Sequence, residues 1–311
     1  MPTRPLPPTG EQFEISAGDV AATVTEVGAG LRAFTCAGVP YVETFAVERR
    51  PPRGAGDVLV PWPNRTAGGR WTWNDAEQQL ALTEPTPGNA IHGLLLHTFY
   101  AVVERSADAI TLGARVAAQP GWPVPLDTRI RYAVSADGLT VTHTVHNIGA
   151  DAVPFGVGVH PYIRARAAAT DDCTLQRAAS TALPLESGLP TGPARPAADA
   201  DDFSRGRPLR GLQLDHAFGG CTPAAGDTLV RHRLLGPDGG VELWAEPEFR
   251  WVQVFTPDDH PGRGRAVAVE PMTCPPDALN SGTDLITLAP GESWTGSWGL
   301  RPIQGELGTR G

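Results

Sequence analysis

Apolar and polar side chains alternate with a period of two along much of this chain. Thr128-Arg129-Ile130-Arg131-Tyr132-Ala133-Val134 does so, the chain turns at Ala136-Asp137-Gly138, and Leu139-Thr140-Val141-Thr142-His143-Thr144-Val145 alternates again. Successive side chains of a strand point to opposite faces, and a tight turn needs residues that tolerate positive φ. Two such runs joined by Asp-Gly therefore predict a β-hairpin. Similar runs cover 20–24, 110–116, 241–245, 249–255 and 285–288, and Pro290-Gly291 leads into the alternating stretch Ser293-Trp294-Thr295-Gly296-Ser297-Trp298. No segment keeps a 3.6-residue period between a capped start and a capped stop. The pattern predicts an all-β chain folded as a large β-sandwich of antiparallel sheets.

Three stretches break the pattern. Residues 1–10 are rich in Pro and read as a flexible N-terminal segment. Residues 187–211 carry Ser, Gly, Pro, Ala and Asp where bulky apolar side chains would be needed, and read as a long loop. Residues 304–311 have little to bury and read as a flexible tail. Strands of the same kind lie on both sides of 187–211, so 11–303 is expected to form one domain. No internal repeat of fixed period occurs.

Composition narrows the chemistry. The 311 residues include 36 Gly and 31 Pro, both of which damage helix interiors. All 25 basic residues are Arg. Without a lysine there is no Schiff-base aldolase, no pyridoxal-phosphate enzyme and no P-loop lysine on nucleotide phosphates. A net charge of −9 makes nucleic acid and anionic membranes poor partners. No apolar run approaches the ~20 residues of a membrane span, and the first residues lack the apolar core of a signal peptide. Cys36, Cys173, Cys221 and Cys274 are scattered without a C-x-x-C pair, which suits buried thiols in a reducing, cytoplasmic setting.

Eight histidines are candidates for proton transfer. His143 alternates with Val141 and Val145 and reads as a partly buried strand residue. His232, between Arg231 and Arg233, is expected to be solvated, and His260, after Asp258-Asp259, belongs to a polar loop. His92 differs: in Gly88-Asn89-Ala90-Ile91-His92-Gly93 the glycines let a ligand approach the backbone. His160 also differs. An apolar, Gly-rich stretch, Phe155-Gly156-Val157-Gly158-Val159, ends in His160-Pro161-Tyr162, a placement that suits a cleft rim. No H-x-H or H-E-x-x-H spacing points to a metal.

Glu270 is the most informative carboxylate. It follows Ala266-Val267-Ala268-Val269 and precedes Pro271-Met272-Thr273-Cys274-Pro275-Pro276, so it is expected to be desolvated. Desolvation raises a carboxyl pKa from ~4.3 toward the range of a general base. The structural alternative is a Glu that caps a turn or pairs with an Arg. Asp215 lies among apolar neighbours in Leu212-Gln213-Leu214-Asp215-His216-Ala217-Phe218, and Arg65 ends the rigid stretch Val60-Pro61-Trp62-Pro63-Asn64-Arg65. There its guanidinium can meet a ligand oxygen.

Five fragments occur in order: Pro61-Trp62-Pro63-Asn64-Arg65, Asn89-Ala90-Ile91-His92-Gly93, Gly158-Val159-His160-Pro161-Tyr162, Leu214-Asp215-His216-Ala217-Phe218 and Val269-Glu270-Pro271-Met272-Thr273. Together they resemble the aldose 1-epimerase (galactose mutarotase) family, roughly from residue 20 to residue 300. The closing Ser297-Trp298-Gly299-Leu300 resembles that family's last strand. The resemblance implies a galactose-mutarotase-like β-sandwich with an open sugar cleft and no organic cofactor. It implies Glu270 as general base and His160 as general acid, with His92, Arg65 and Asp215 binding the sugar. A neighbouring carboxylate is expected to keep His160 protonated near neutral pH.

The implied reaction interconverts the α and β anomers of a free aldose such as glucose or galactose. The partner is then a small-molecule aldose, with no nucleic acid or membrane, and the chain a monomer or homodimer. Alternatives are a hexose-6-phosphate 1-epimerase and a non-catalytic sugar-binding module. Phosphosugar enzymes are expected to cluster Arg around the phosphate, and no dense cluster flanks His92 or His160. Trp62, Trp122, Tyr162 and Phe218 are candidates for an apolar sugar platform, with core packing as the competing role. One departure from the family stands out: Leu94-Leu95-Leu96-His97 follows His92-Gly93 where many relatives carry an Arg or an aromatic, which bears on sugar preference.

Overall fold

A computed structural model describes residues 6–304. The hairpin expected around Asp137-Gly138 is there: Leu126–Ser135 pairs antiparallel with Gly138–Asn147, and buried and exposed side chains alternate along the first strand as the sequence does. Ala101–Arg105 and Ala109–Val116 extend this meander on one side. On the other side the C-terminal strand Ser293–Gln304 pairs with Gly138–Asn147, and Gly239–Ala245 and Val230–Gly236 follow, within a nine-stranded sheet. A separate sheet of four strands, built from Gln12–Ala17 through Val39–Pro40, packs beside it.

An eight-stranded sheet completes the sandwich. Its middle is formed by Asp215–Gly219, Trp251–Phe255, Val267–Met272, Gly158–Val159 and Val58–Leu59, every neighbouring pair antiparallel. One face packs into the core through Val252, Val254, Val267 and Val269, in the same cluster as Leu139, Val141, Leu243 and Leu300 of the nine-stranded sheet. The other face carries Ala217, Trp251, Ala268 and Met272 in small satellite clusters and is buried under loops. Both faces of Val267–Met272 are therefore covered, and all six residues are buried. A carboxylate on this strand has no route to bulk water except through a gap in the covering loops.

Several local expectations change. Residues 187–211 are not one structureless loop. They supply Leu189–Pro190, Arg195–Pro196 and Arg207–Pro208, and the last two are outermost strands of the two large sheets. Proline suits such edges because it lacks the N–H that an inner strand uses in its ladders. The flexible segment expected over 1–10 is held from Pro7 onward, where Gly10 N donates to Pro7 O (2.9 Å) and Val27 N to Thr9 O (3.0 Å); residues 1–5 lie outside the described residues. Of the expected tail, Gln304 ends a strand, and 305–311 lie outside the described residues. Among the described residues no helix is long and apolar enough to cross a membrane.

His232, expected in solvent, is buried. Along Val230–Gly236 the period of two puts Arg231 and Arg233 on one face, where both pair with Glu242, and turns His232 to the other. Periodicity outweighs the charge of sequence neighbours. His260, expected in a polar loop, is buried as well and packs on Tyr162, ring centroids 4.7 Å apart. His143 is fully buried, and its Nε2 accepts a hydrogen bond from Trp298 Nε1 at 3.0 Å.

Burial lowers the His143 pKa to about 3. Its folded pKa thus lies below the unfolded value of ~6.5. The stability it contributes is complete above that pH and is lost as pH falls toward 3, by up to about 1.4 kcal/mol per unit. The variant His143→Gln keeps an acceptor near Trp298 without a titrating group. The stability advantage of the wild type over this variant should shrink by about 2 kcal/mol between pH 7 and pH 5 in urea titrations. A constant difference across that range would show that His143 does not resist protonation in the fold.

Candidate active site

Strand register gathers the polar groups on the loop-covered face of the eight-stranded sheet. Gln253 stands opposite Glu270 on one side and Ala217 on the other, while Phe255 stands opposite Asp215. Partners in a ladder share a face, as do residues two apart along a strand, so Asp215, Gln253, Phe255 and Glu270 project together. Gln253 Nε2 donates to Asp215 Oδ1 at 2.6 Å. Above them lies a cleft of about 260 Å³, also lined by Arg53, Asn64, Arg65, Ile91, His92 and His160. All five residues singled out from the sequence (Arg65, His92, His160, Asp215 and Glu270) line this one cleft.

His160 reaches it from the turn between Gly158–Val159 and Tyr162–Ile163. Its backbone is tied on both sides: His160 N donates to Asp57 O at 3.0 Å, and His160 O accepts from Gly56 N at 2.9 Å. The ring packs against Tyr162 at 5.2 Å and meets the His92 ring edge-on at 5.6 Å. Its Nε2 lies 3.3 Å from Glu270 Oε1, with both side chains almost fully buried. Glu270 Oε2, Gln253 Oε1 and His160 Nδ1 are buried without a hydrogen-bond partner among the described residues, so they are available to a ligand.

Burial acts on the pair in one direction. It raises the Glu270 pKa well above its usual value, with Asp215 adding to the rise and Arg65 opposing it. It lowers His160 to about 4. Both shifts favour a neutral carboxylic acid beside a neutral imidazole over the carboxylate–imidazolium form. The sequence expectation of a protonated His160 is thereby reversed: the cost of stripping water from two charges exceeds their mutual attraction. Because the groups touch, their titrations belong to the pair.

His92 is fixed by a two-way clasp. His92 N donates to Asn64 O at 3.0 Å, and Asn64 N donates to His92 Nδ1 at 3.2 Å. With Nδ1 accepting, a neutral His92 carries its proton on Nε2 and is a hydrogen-bond donor there. Burial, His160 and Arg65 all lower its pKa, keeping it neutral. The clasp needs left-handed backbone at both residues, φ +55 at Asn64 and φ +64 at His92. Gly93 follows because its φ is +80 and a Cβ there would sit 2.1 Å from Val60 O.

Arg65 lies in a two-residue strand against Ala90–Ile91 and is gripped by Glu84, which accepts from Nε and Nη2 at 2.8 Å each. The opposite side is closed by a turn at Ser187-Gly188, where a Cβ on Gly188 would lie 2.3 Å from Arg65 Nη1. Arg53 pairs with Asp259 at the rim and has φ +49. Trp62, Trp122 and Phe218 are core residues away from the cleft, and Tyr162 supports His160 from behind. The apolar lining is Ile91 and Phe255 instead. Leu94, Leu95, Leu96 and His97 do not line the cleft, so this departure from the family pattern lies outside the cleft wall. Sequence reasoning missed Gln253 and Glu84. Gln253 is the one polar residue in the strand Trp251–Phe255, a usable signal; Glu84 has none.

The arrangement is a polar cleft: the buried Glu270–His160 contact at the floor, neutral and charged hydrogen-bonding groups on the walls, and limited apolar surface. The sequence profile of the aldose 1-epimerase family matches residues 11–301, and the chain belongs to that family. It is 32% identical to YihR, an uncharacterized protein of Escherichia coli K12, over 286 residues covering 91% of each chain. The fold matches a galactose mutarotase-like protein from Clostridium acetobutylicum with a TM-score of 0.84 at 18% identity, covering 94% of this chain and 95% of that one. It matches the GalM/aldose epimerase homologue from C. elegans with a TM-score of 0.83 at 17% identity, covering 94% and 99%.

Glu84 and Gly188 hold Arg65 without touching the cleft. Glu84→Gln loosens the guanidinium, and Gly188→Ala pushes it aside. Each should weaken D-glucose or D-galactose binding about tenfold, ~1.4 kcal/mol, in calorimetry, with the circular dichroism spectrum unchanged. Wild-type affinity in both variants would remove Arg65 from the binding surface.

Proposed function

We propose that this protein is an aldose 1-epimerase acting on a free, unphosphorylated aldose, with Glu270 as general base and His160 as general acid. The observation that carries this reading is the buried Glu270–His160 contact at the floor of a sugar-sized cleft. In the cyclic sugar complex the pair holds one proton, on His160. Glu270 takes the proton of the C1 hydroxyl, the O1 electrons form the C1=O bond, and the C1–O5 bond breaks. The released pair on O5 takes the His160 proton, giving the open-chain aldehyde. Rotation about C1–C2 and reversal of both transfers close the other anomer.

Proton count supports the assignment. Before ring opening the pair is carboxylate and imidazolium; afterwards it is carboxylic acid and imidazole. Only the position of the proton changes, so no external acid or base is required. The burial shifts lean toward the second form, the one that accompanies the open chain. A C1 hydroxyl donating to Glu270, together with the Arg65 charge, favours the first. The two influences oppose each other across ring opening and ring closing, the step the pair has to carry in both directions.

His92, as a neutral donor, and Arg65 and Asp215 would bind the sugar's oxygens. Both guanidiniums on the cleft are already paired, Arg65 with Glu84 and Arg53 with Asp259, and Asp215 is acidic. This favours a free sugar over a hexose 6-phosphate. A desolvated Glu–His pair burdens stability without benefit in a module that only binds, which favours the enzyme. The partner is a small-molecule aldose in the cytoplasm, with no role for nucleic acid or membrane.

Polarimetry of freshly dissolved α-D-glucose and α-D-galactose tests the reading. The wild type should relax at least one faster than buffer, and Glu270→Gln should lower kcat by ~10²–10⁴ with the fold intact. A wider panel of aldoses that all relax at the buffer rate would overturn the proposal. Activity needs one proton on the pair. It should fall as pH drops through about 4, where His160 takes a second proton, and again at high pH, where Glu270 loses the last one. A rate that kept rising with pH would point to a single base with no partner acid.

A further inference from the structure

The guanidiniums on the sugar cleft are paired, and those of a second groove are not. Residues of the 44–52 stretch, with Arg32 and the turn at Pro261-Gly262, enclose a space of about 1080 Å³, about four times the sugar cleft. The two spaces share no lining residue. Three guanidiniums line the groove, those of Arg32, Arg49 and Arg50, against the single carboxylate of Glu48. We propose that this groove binds a nucleoside di- or triphosphate at a site separate from the sugar cleft. The inference goes beyond the epimerase reading and does not depend on it.

Charge carries the first half of the argument. The chain has a net charge of −9, and arginines beside its other recesses find carboxylates. Arg53 pairs with Asp259, Arg65 with Glu84, and Arg231 and Arg233 with Glu242. Arg49 and Arg50 are exposed on the groove and make no ion pair among the described residues. Arg32 donates Nε to Phe45 O at 3.0 Å, a neutral acceptor that leaves its charge uncompensated. Three like charges around one recess repel one another until an anion enters. A phosphate chain suits them, because it offers oxygens to several guanidiniums at once and each fork can bind two of them.

Shape carries the second half. Inorganic phosphate or a sugar phosphate would satisfy the charge and leave much of the groove empty. The remaining wall is apolar and flat: Pro8, Pro52 and Pro261 line it, and so does Phe45, whose ring has the Arg32 guanidinium 5.9 Å from its centroid. A planar base fits between such faces, and a guanidinium plane stacks on aromatic rings. Thr44 and Glu48, both exposed on the same groove, supply acceptors for ribose hydroxyl groups. Phosphate donors, a flat apolar wall and hydroxyl acceptors thus lie in one space large enough for all three parts of a nucleotide.

Calorimetry with ADP, GDP and UDP tests the site. At least one should bind with Kd below ~1 mM, and its parent nucleoside and pyrophosphate alone should each bind about tenfold more weakly or worse. Affinity should fall at high salt. Arg49→Gln and Arg50→Gln should each weaken the nucleotide about tenfold, with the circular dichroism spectrum and the polarimetric rate on D-glucose or D-galactose unchanged. No binding by any of the three nucleotides would overturn the proposal, as would full affinity in the double variant Arg49→Gln/Arg50→Gln. Pyrophosphate binding as tightly as the nucleotide would overturn the assignment of the apolar wall to a base. Displacement of the nucleotide by saturating aldose would place it in the sugar cleft and overturn a separate site.

Discussion

The structure turns on a carboxylate and an imidazole pressed together out of water. Glu270 sits on a strand whose two faces are both covered, and His160 closes over it at 3.3 Å. In water such a pair would be a salt bridge; here desolvation draws the proton toward the carboxylate. Everything else at the site holds these two groups in contact or admits a ligand to them. Backbone bonds to Asp57 and Gly56 fix His160, the Tyr162 ring backs it, and the sheet register sets Gln253 beside Glu270.

The walls show a second constraint, that every charged or polar wall group is itself held. Asn64 clasps His92 and dictates which nitrogen bears its proton. Glu84 grips Arg65 from one side while the Ser187-Gly188 turn closes the other. Such second partners limit side-chain motion, so a ligand meets groups already oriented. Glu84 and Asp259 also offset the charges of Arg65 and Arg53 on the cleft.

Much of this was legible along the chain. The period-two runs marked the strands, and the Asp137-Gly138 turn marked a hairpin, because alternation reflects a sheet with one buried face. Glu270 and His160 each end an apolar run, a position that a capping or structural role would also explain, and it was their place among five ordered fragments that set them apart. His232 and His260 were misjudged from the charge of their neighbours, a weaker cue than strand periodicity or loop packing. Residues 187–211 looked structureless because Pro and Gly hide short edge strands from any propensity argument. Glu84 was invisible: nothing local distinguishes a surface glutamate from one that meets an arginine nineteen residues away.

The sequence by itself determined the all-β class, the absence of lysine chemistry and the candidates Arg65, His92, His160, Asp215 and Glu270. The class follows from periodicity and the missing chemistry from residue type, both local properties, and the five candidates from local context together with the resemblance of their ordered fragments to the aldose 1-epimerase family. The tertiary structure alone decided that the five line one cleft, and that Gln253, opposite Glu270 in the sheet, donates to Asp215. It also decided on which partner burial places the shared proton. Those outcomes depend on sheet register and on the exclusion of water, and both arise only when residues distant in sequence are packed together.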